Sequence, residues 1–471
     1  MTNRLGWRKR PRAVVLVGLA MLAVGLSSCS LDVFDPDVVS PEDVSDPASL
    51  PIAVTGAIGD LQFALDDYVL YSGLFTDEFI LAGTFPTRQE VDERRINFTN
   101  TTLNTELYEL MHSSRFSADN LVASAQSLVG NPDADQDLVQ FAIANGQYAG
   151  AYIRMLFAEM YCESIFGGNN EEDPGFEASP LDPTTRLQEA VSLFQAAQAS
   201  AAVSGLSNLA LAARVGEARS QMFVGNYSAA AAAVATVDPD LIYISEYSSN
   251  TIAQYNEVYN FTYSDGNQVL RWTVGDGLVA SRFNEAWPFF DEWVELRLIE
   301  PDPDQVTFTS FDSSIPVKLQ MIYPPPGPLG NPQSPPTAQG QGSPITLATG
   351  FEADLMEAEA AYRSGDLAGA AALINSRLTT GDNPHGKAFK PVAFTGDFAS
   401  DIGEIGRAYA AGTWLTGHRL GFMRRVLRND GVDLYPAGKP GSDTAFPMTK
   451  QEVDNNDSIS TACSNGGPPW N

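Results

Sequence analysis

Glu217–Val234, EARSQMFVGNYSAAAAAV, and Glu357–Ile374, EAEAAYRSGDLAGAAALI, align at an offset of 140 residues. Glu217 matches Glu357, Ala218 matches Ala358, Gly225 matches Gly365, and Asn226 matches Asp366. Each copy reads as an alanine-rich helix, a glycine turn and a second alanine-rich helix. Small side chains let paired helices approach closely, and a glycine at positive φ closes the first of them. This is the tetratricopeptide kind of helix pair. The copies are not in tandem, so the sequence predicts a mainly α scaffold of helix pairs interrupted by a long insert.

The chain before the first copy is also helical in pattern. Phe141–Phe166 (FAIANGQYAGAYIRMLFAEMYCESIF) keeps apolar residues at helical spacing up to Gly167-Gly168, which predicts a helix ending there. Asp182 before Pro183 predicts an N-cap and first turn for a helix over Pro183–Ala201, with Leu187, Ala190, Val191 and Phe194 on one face. These two are expected to form a helical hairpin around a polar loop.

The insert, about 241–350, has another composition. Leu241–Phe311 is rich in tyrosine, tryptophan and phenylalanine, and Pro301–Gly350 holds 11 prolines. That proline content excludes regular helix and central strand. Short hairpins fit around QVLRWTV (Gln268–Val274) and QVTFTSF (Gln305–Phe311), and few strands are expected elsewhere. Within RFNEAWPFFDEWVELR (Arg282–Arg297), Trp287, Phe289, Phe290 and Trp293 alternate with acids and an asparagine, flanked by Trp272 and Tyr323. Aromatic faces stack on sugar rings while carboxylates and amides bond hydroxyls, and the same composition suits a peptide or another apolar ligand. DDYVLYSGLFTDEF (Asp66–Phe79) adds Tyr71 and Phe75 as candidates. The alternative for each of these residues is packing of the insert against the helices.

Catalytic patterns are missing. His112, His385 and His418 have no metal-ligand spacing, and neither HExxH nor GxSxG occurs. GDNPHGKA (Gly381–Ala388) departs from a phosphate loop at Ala388, where a serine or threonine would hold magnesium. DADQD (Asp133–Asp137) departs from a calcium loop at Leu138 and Ala144, and reads better as acids capping the next helix. No metal, cofactor or catalytic residue is expected. A pair of carboxylates for glycoside hydrolysis can be drawn almost anywhere among 58 acids, so no pair is informative.

The N-terminus assigns a place. Met1–Arg12 is basic, and Ala13–Leu26 is an apolar run of 14 residues, too short to span a bilayer. Leu26-Ser27-Ser28-Cys29 then sets small residues before a cysteine, as a bacterial lipobox does. The reading is a lipoprotein signal peptide over 1–28, with Cys29 taking the lipid (diacylglycerol and palmitate-type acyl chains). Residues 29–50 form a lipidated tether, and 51–471 form one helical domain. Ser30 after the cysteine favours the outer membrane. The formal net charge is −30, and loss of the leader leaves 23 basic against 58 acidic residues, or −35. So acidic a surface repels phosphate backbones and excludes nucleic acid as a partner. Beyond the inner membrane the compartment is oxidising. With Cys29 acylated, Cys162 and Cys463 are the remaining pair, closing a loop of about 300 residues. The alternative is two buried free thiols.

Four segments in order resemble SusD/RagB-family lipoproteins. LDVFDPDVVSPEDVSDPASL (Leu31–Leu50) is similar to the family's opening, with its leucine-aspartate and its serine-proline-glutamate-aspartate helix start. ITLATGFEADLMEAEAAYRSGDLAGAAALIN (Ile345–Asn375) resembles the family's helix pair. GHRLGFMRR (Gly417–Arg425) resembles its late glycine-histidine-arginine segment, in which His418 and Arg419 are expected to tie helices together. FPMTKQEVDNN (Phe446–Asn456) resembles its closing segment. Phe141–Phe166 lacks the usual arginine-and-aromatic pattern, and Gly403, Gly406 and Gly412 make the helix before Gly417 unusually small, as in a divergent branch. The resemblance implies a cell-surface lipoprotein, not an enzyme. It would bind a nutrient, a glycan first of all, and pass it to a SusC-type TonB-dependent transporter. A surface-anchored helical glycosidase and a helical-repeat envelope scaffold are the alternatives. No family motif assigns the ligand contacts.

Overall fold

Pro51 in the first turn opens the first long helix, α1 (Leu50–Phe75), which buries 15 of its 26 residues. By length and composition α1 could cross a membrane, but here its apolar side chains enter the protein core. In this computed structural model the described residues are 46–76, 78–81, 85–167, 179–261, 270–271, 298–299, 319–320, 340–381, 388–435 and 439–459. They belong to one unit, Ser45–Asn471. The signal peptide and Cys29 lie outside them, as does the tether up to Ser45.

After α1 come a short strand, β1 (Ile80–Leu81), and a helix, α2 (Pro86–Asp92). A π-helical turn (Asn104–Tyr108) then leads into α3 (Glu109–Ser127). The next helix, α4 (Gln136–Met160), starts where Asp135 accepts from the backbone N–H of Asp137 at 3.0 Å and Leu138 at 3.3 Å. The DADQD acids thus cap a helix, as their sequence suggests. Both ends of α4 differ from the Phe141–Phe166 expectation. At Tyr161 the backbone turns extended and bridges Phe446, and Ser164 pairs with Leu181 at 2.8 and 3.0 Å. Residues 161–166 stay mostly buried in this extended form, so their apolar pattern outlasts the helix.

Asp182 caps α5 (Pro183–Val203) by accepting from Thr184 N–H at 2.8 Å, and α5 packs along α4 as the expected hairpin. The first repeat copy is α6 (Ser207–Phe223) and α7 (Tyr227–Val234), with Gly225 at φ +82° between them. Strand β2 (Ile242–Ser245) follows, and three two-residue strands lie in the insert: β3 (Leu270–Arg271), β4 (Leu298–Ile299) and β5 (Leu319–Gln320). The chain returns through β6 (Ile345–Thr349) to the second copy, α8 (Gly350–Arg363) and α9 (Leu367–Leu378), with Gly365 at φ +96°. Asp366 caps α9 through Gly369 N–H at 2.9 Å. The described chain ends with α10 (Phe398–Thr413), α11 (His418–Asp430) and α12 (Lys450–Asn455).

From α3 to α9 each helix packs on the next, and α7 packs on α8 although more than a hundred residues separate them. The repeat is therefore contiguous in space where it is broken in sequence. Antiparallel pairing of β2 with β6, Ile242 opposite Thr349 and Ser245 opposite Ile345, closes the neck of the insert. Of the two expected hairpins, the strand within QVLRWTV pairs with distant β1 instead of a local partner. The other ladder, β4 with β5, flanks QVTFTSF, which itself lies outside the described residues.

Candidate ligand-binding site

The insert leaves the scaffold at Phe261 and its β3 pairs with β1, Ile80 opposite Arg271 and Leu81 opposite Leu270. This junction sets the start of the aromatic insert beside the end of α1 and the start of α2. Around it the described side chains form one cluster. The Arg88 guanidinium lies 4.4 Å from the Phe261 ring centroid and 5.1 Å from that of Phe85, which is 42% exposed. Arg88 Nε donates to the Tyr71 hydroxyl at 3.3 Å and Nη2 donates to Glu106 at 3.0 Å. Tyr71 in turn donates to Glu106. A guanidinium held between two rings and a carboxylate is rigid, and Phe85 leaves an aromatic face open to solvent beside it.

The floor is acidic. Asp66 is buried, and it accepts from the backbone N–H of Asp67 at 2.9 Å and of Glu257 at 3.1 Å. Burial pushes the Asp66 carboxyl well above its ordinary range against the pull of those N–H groups, and the charge of Glu257 adds to the rise. Asp67 rises likewise, first from burial and then from the charges of Asp66, Glu106 and Glu257, with Arg88 opposing. Asn256 fixes this corner: it caps the turn at Tyr259 (3.0 Å) and donates to the Ser343 carbonyl (2.8 Å), tying the outgoing and returning strands of the insert.

The sequence candidates distribute unevenly. Tyr71 belongs to the cluster, but its ring is fully buried, so it acts through its hydroxyl and offers no face for stacking. Phe75 is fully buried too, against Phe446 at 4.9 Å and Tyr435 at 6.0 Å, and is a core residue. The alternation in Asp66–Phe79 arises from a helix packed on most of its circumference. Trp272, Trp287, Phe289, Phe290, Trp293 and Tyr323 lie outside the described residues. Phe85, Arg88, Glu106 and Phe261 were not singled out by sequence. The one local signal was Phe85-Pro86, an apolar residue before a proline-led helix. Among the described residues no group of three or more His, Cys, Asp or Glu side chains could hold a metal ion. Cys162 is fully buried and disulfide-bonded; Cys463 lies outside the described residues.

His418 and Arg419 are both buried. His418 Nδ1 is 2.8 Å from Thr416 Oγ1, and Nε2 is 3.2 Å from Glu352. It therefore joins the start of α11 to that of α8.

Helix pairs stacked into a curved scaffold with a large insert at one side define a class: helical-repeat proteins that present a binding surface. No family profile matches the sequence, and no curated protein matches it. Solved structures do. A SusD/RagB family protein from Bacteroides thetaiotaomicron aligns over 88% of this chain and 96% of its own at a TM-score of 0.62 and 13% identity. The surface glycan-binding protein A from Bacteroides uniformis aligns over 89% and 100% at 0.57 and 12% identity. A laminarin-binding SusD-like protein aligns over 88% and 98% at 0.54 and 13% identity. The chain has the SusD-like fold.

Proposed function

We propose that this chain is a divergent SusD/RagB-family lipoprotein that captures a glycan at the outer membrane and delivers it to a SusC-type TonB-dependent transporter. The observation that carries the reading is the likeness of fold along nearly nine-tenths of the chain to structures that include a glycan-binding and a laminarin-binding protein. The N-terminal lipobox supports the anchor at Cys29, and the signal-peptide, tether and domain boundaries go with it. The insert aromatics, with Phe85 beside Arg88, supply surfaces of the kind that stack on sugar rings. A Cys162–Cys463 disulfide suits an extracytoplasmic location.

Binding without chemistry is the role that these residues suit. Arg88, Tyr71 and Glu106 satisfy one another, so no nucleophile stands beside a base. Detergent extraction of the full-length tagged protein from native membranes tests delivery. Co-purification of a large β-barrel protein is the predicted outcome. Recovery of the lipoprotein alone under conditions that keep its fold contradicts it.

A further inference from the structure

Where α4, α6, α8, α10 and α11 converge, a cavity of about 20 Å³ is lined by Glu159, Arg219, Glu352, Tyr409, His418 and Arg425, among others. Arg219 is 8% exposed. Its Nε donates to Glu159 at 2.7 Å, and its Nη2 donates to Glu159 and to the Gly417 carbonyl at 3.2 Å. Its Nη1 has no hydrogen-bond partner. His418 is 6% exposed and repeats the pattern. Its Nδ1 is engaged by Thr416, while Nε2 approaches Glu352 without an aligned hydrogen bond. The Tyr409 hydroxyl on the same wall is also without an aligned partner. A buried donor left unmade is costly, and native proteins satisfy nearly all of them.

We infer that this cavity is a binding site for one ordered water molecule that accepts from Arg219 Nη1 and bridges it to the His418–Glu352 pair. Size and charge select the occupant. The volume holds about one water, which needs two to four polar partners. The lining balances Arg219 and Arg425 against Glu159 and Glu352, so no net positive charge invites an anion. Gly421 keeps the carboxylate wall in place, since a Cβ there would meet Glu159 Cδ at 2.5 Å. The water thereby joins α6 to the starts of α8 and α11, segments about 130 and 200 residues from Arg219 in sequence.

Crystals of the mature protein, diffracting well enough to resolve waters and with a second set soaked in bromide, test this. One spherical density peak at hydrogen-bond distance from Arg219 Nη1, with no anomalous bromide signal, is the expected result. An anomalous peak there would make the occupant an anion and overturn the inference. So would a closed cavity in which Arg219 Nη1 pairs directly with a protein oxygen.

Discussion

His112 shows how a single residue carries the pH dependence of a packed helix face. Its ring sits 4.4 Å from Tyr108, 4.8 Å from Phe157 and 5.7 Å from Phe166 by centroid. Burial first, then the charges of Arg115 and Arg186, lower its pKa to about 3. The unfolded chain takes up that proton near pH 6.5 and the folded chain does not, so stability falls as pH drops from about 6.5 towards 3. Replacing His112 with Phe is predicted to flatten that slope by up to roughly 1.4 kcal/mol per pH unit, read by urea unfolding at several pH values. Glu359 has the opposite sign. Burial alone would raise its carboxyl, but Arg425 and Arg363, at 2.6 and 2.9 Å, hold it below the ordinary range. Its stabilisation is present above the unfolded carboxyl pKa and is lost as pH falls through the folded one. Glu359→Gln is predicted to cost about 3–5 kcal/mol at neutral pH because it leaves Arg425 buried without its charge partner. A joint Glu359→Leu, Arg425→Met replacement is predicted to cost less than the sum of the single changes in the same denaturation experiment.

At the scale of elements, the turn between paired helices is the most legible feature. Gly365 sits at φ +96° with open space around its Cα, so a side chain there meets strain and no clash. Gly365→Ala is predicted to destabilise by about 1–2 kcal/mol, the cost of left-handed backbone for a residue with a Cβ, checked by chemical denaturation. The alanine-rich pairs, both glycine turns, the Asp182 cap and the DADQD cap could all be read from sequence because each rests on local geometry. The end of α4 could not, because Tyr161 leaves the helix to meet Phe446, a partner 285 residues away. The β1–β3 pairing escaped for the same reason, and with it the Arg88 cluster, whose members come together only when the insert docks. The β2–β6 neck makes the insert separable. Joining Ser245 to Ile345 through a short glycine-rich turn is predicted to leave the helical circular dichroism of the scaffold intact while abolishing glycan binding.

The whole molecule combines an acidic surface, a rigid helical scaffold and one elaborated insert. Fold class and family likeness were legible in the order of four short segments, since they mark the start, the second helix pair, α11 and the close of the chain. The ligand site was legible only as composition. Tyr71 and Phe75 show why: an aromatic-rich stretch reads the same whether its rings face a ligand or a core. Titrating the purified mature protein calorimetrically with a panel of neutral glycans and peptides, and recovering each ligand afterwards, tests the central claim most directly. Saturable binding of at least one glycan, returned uncleaved, is the predicted result. Cleavage of the bound glycan, or binding to peptides alone, would contradict glycan capture.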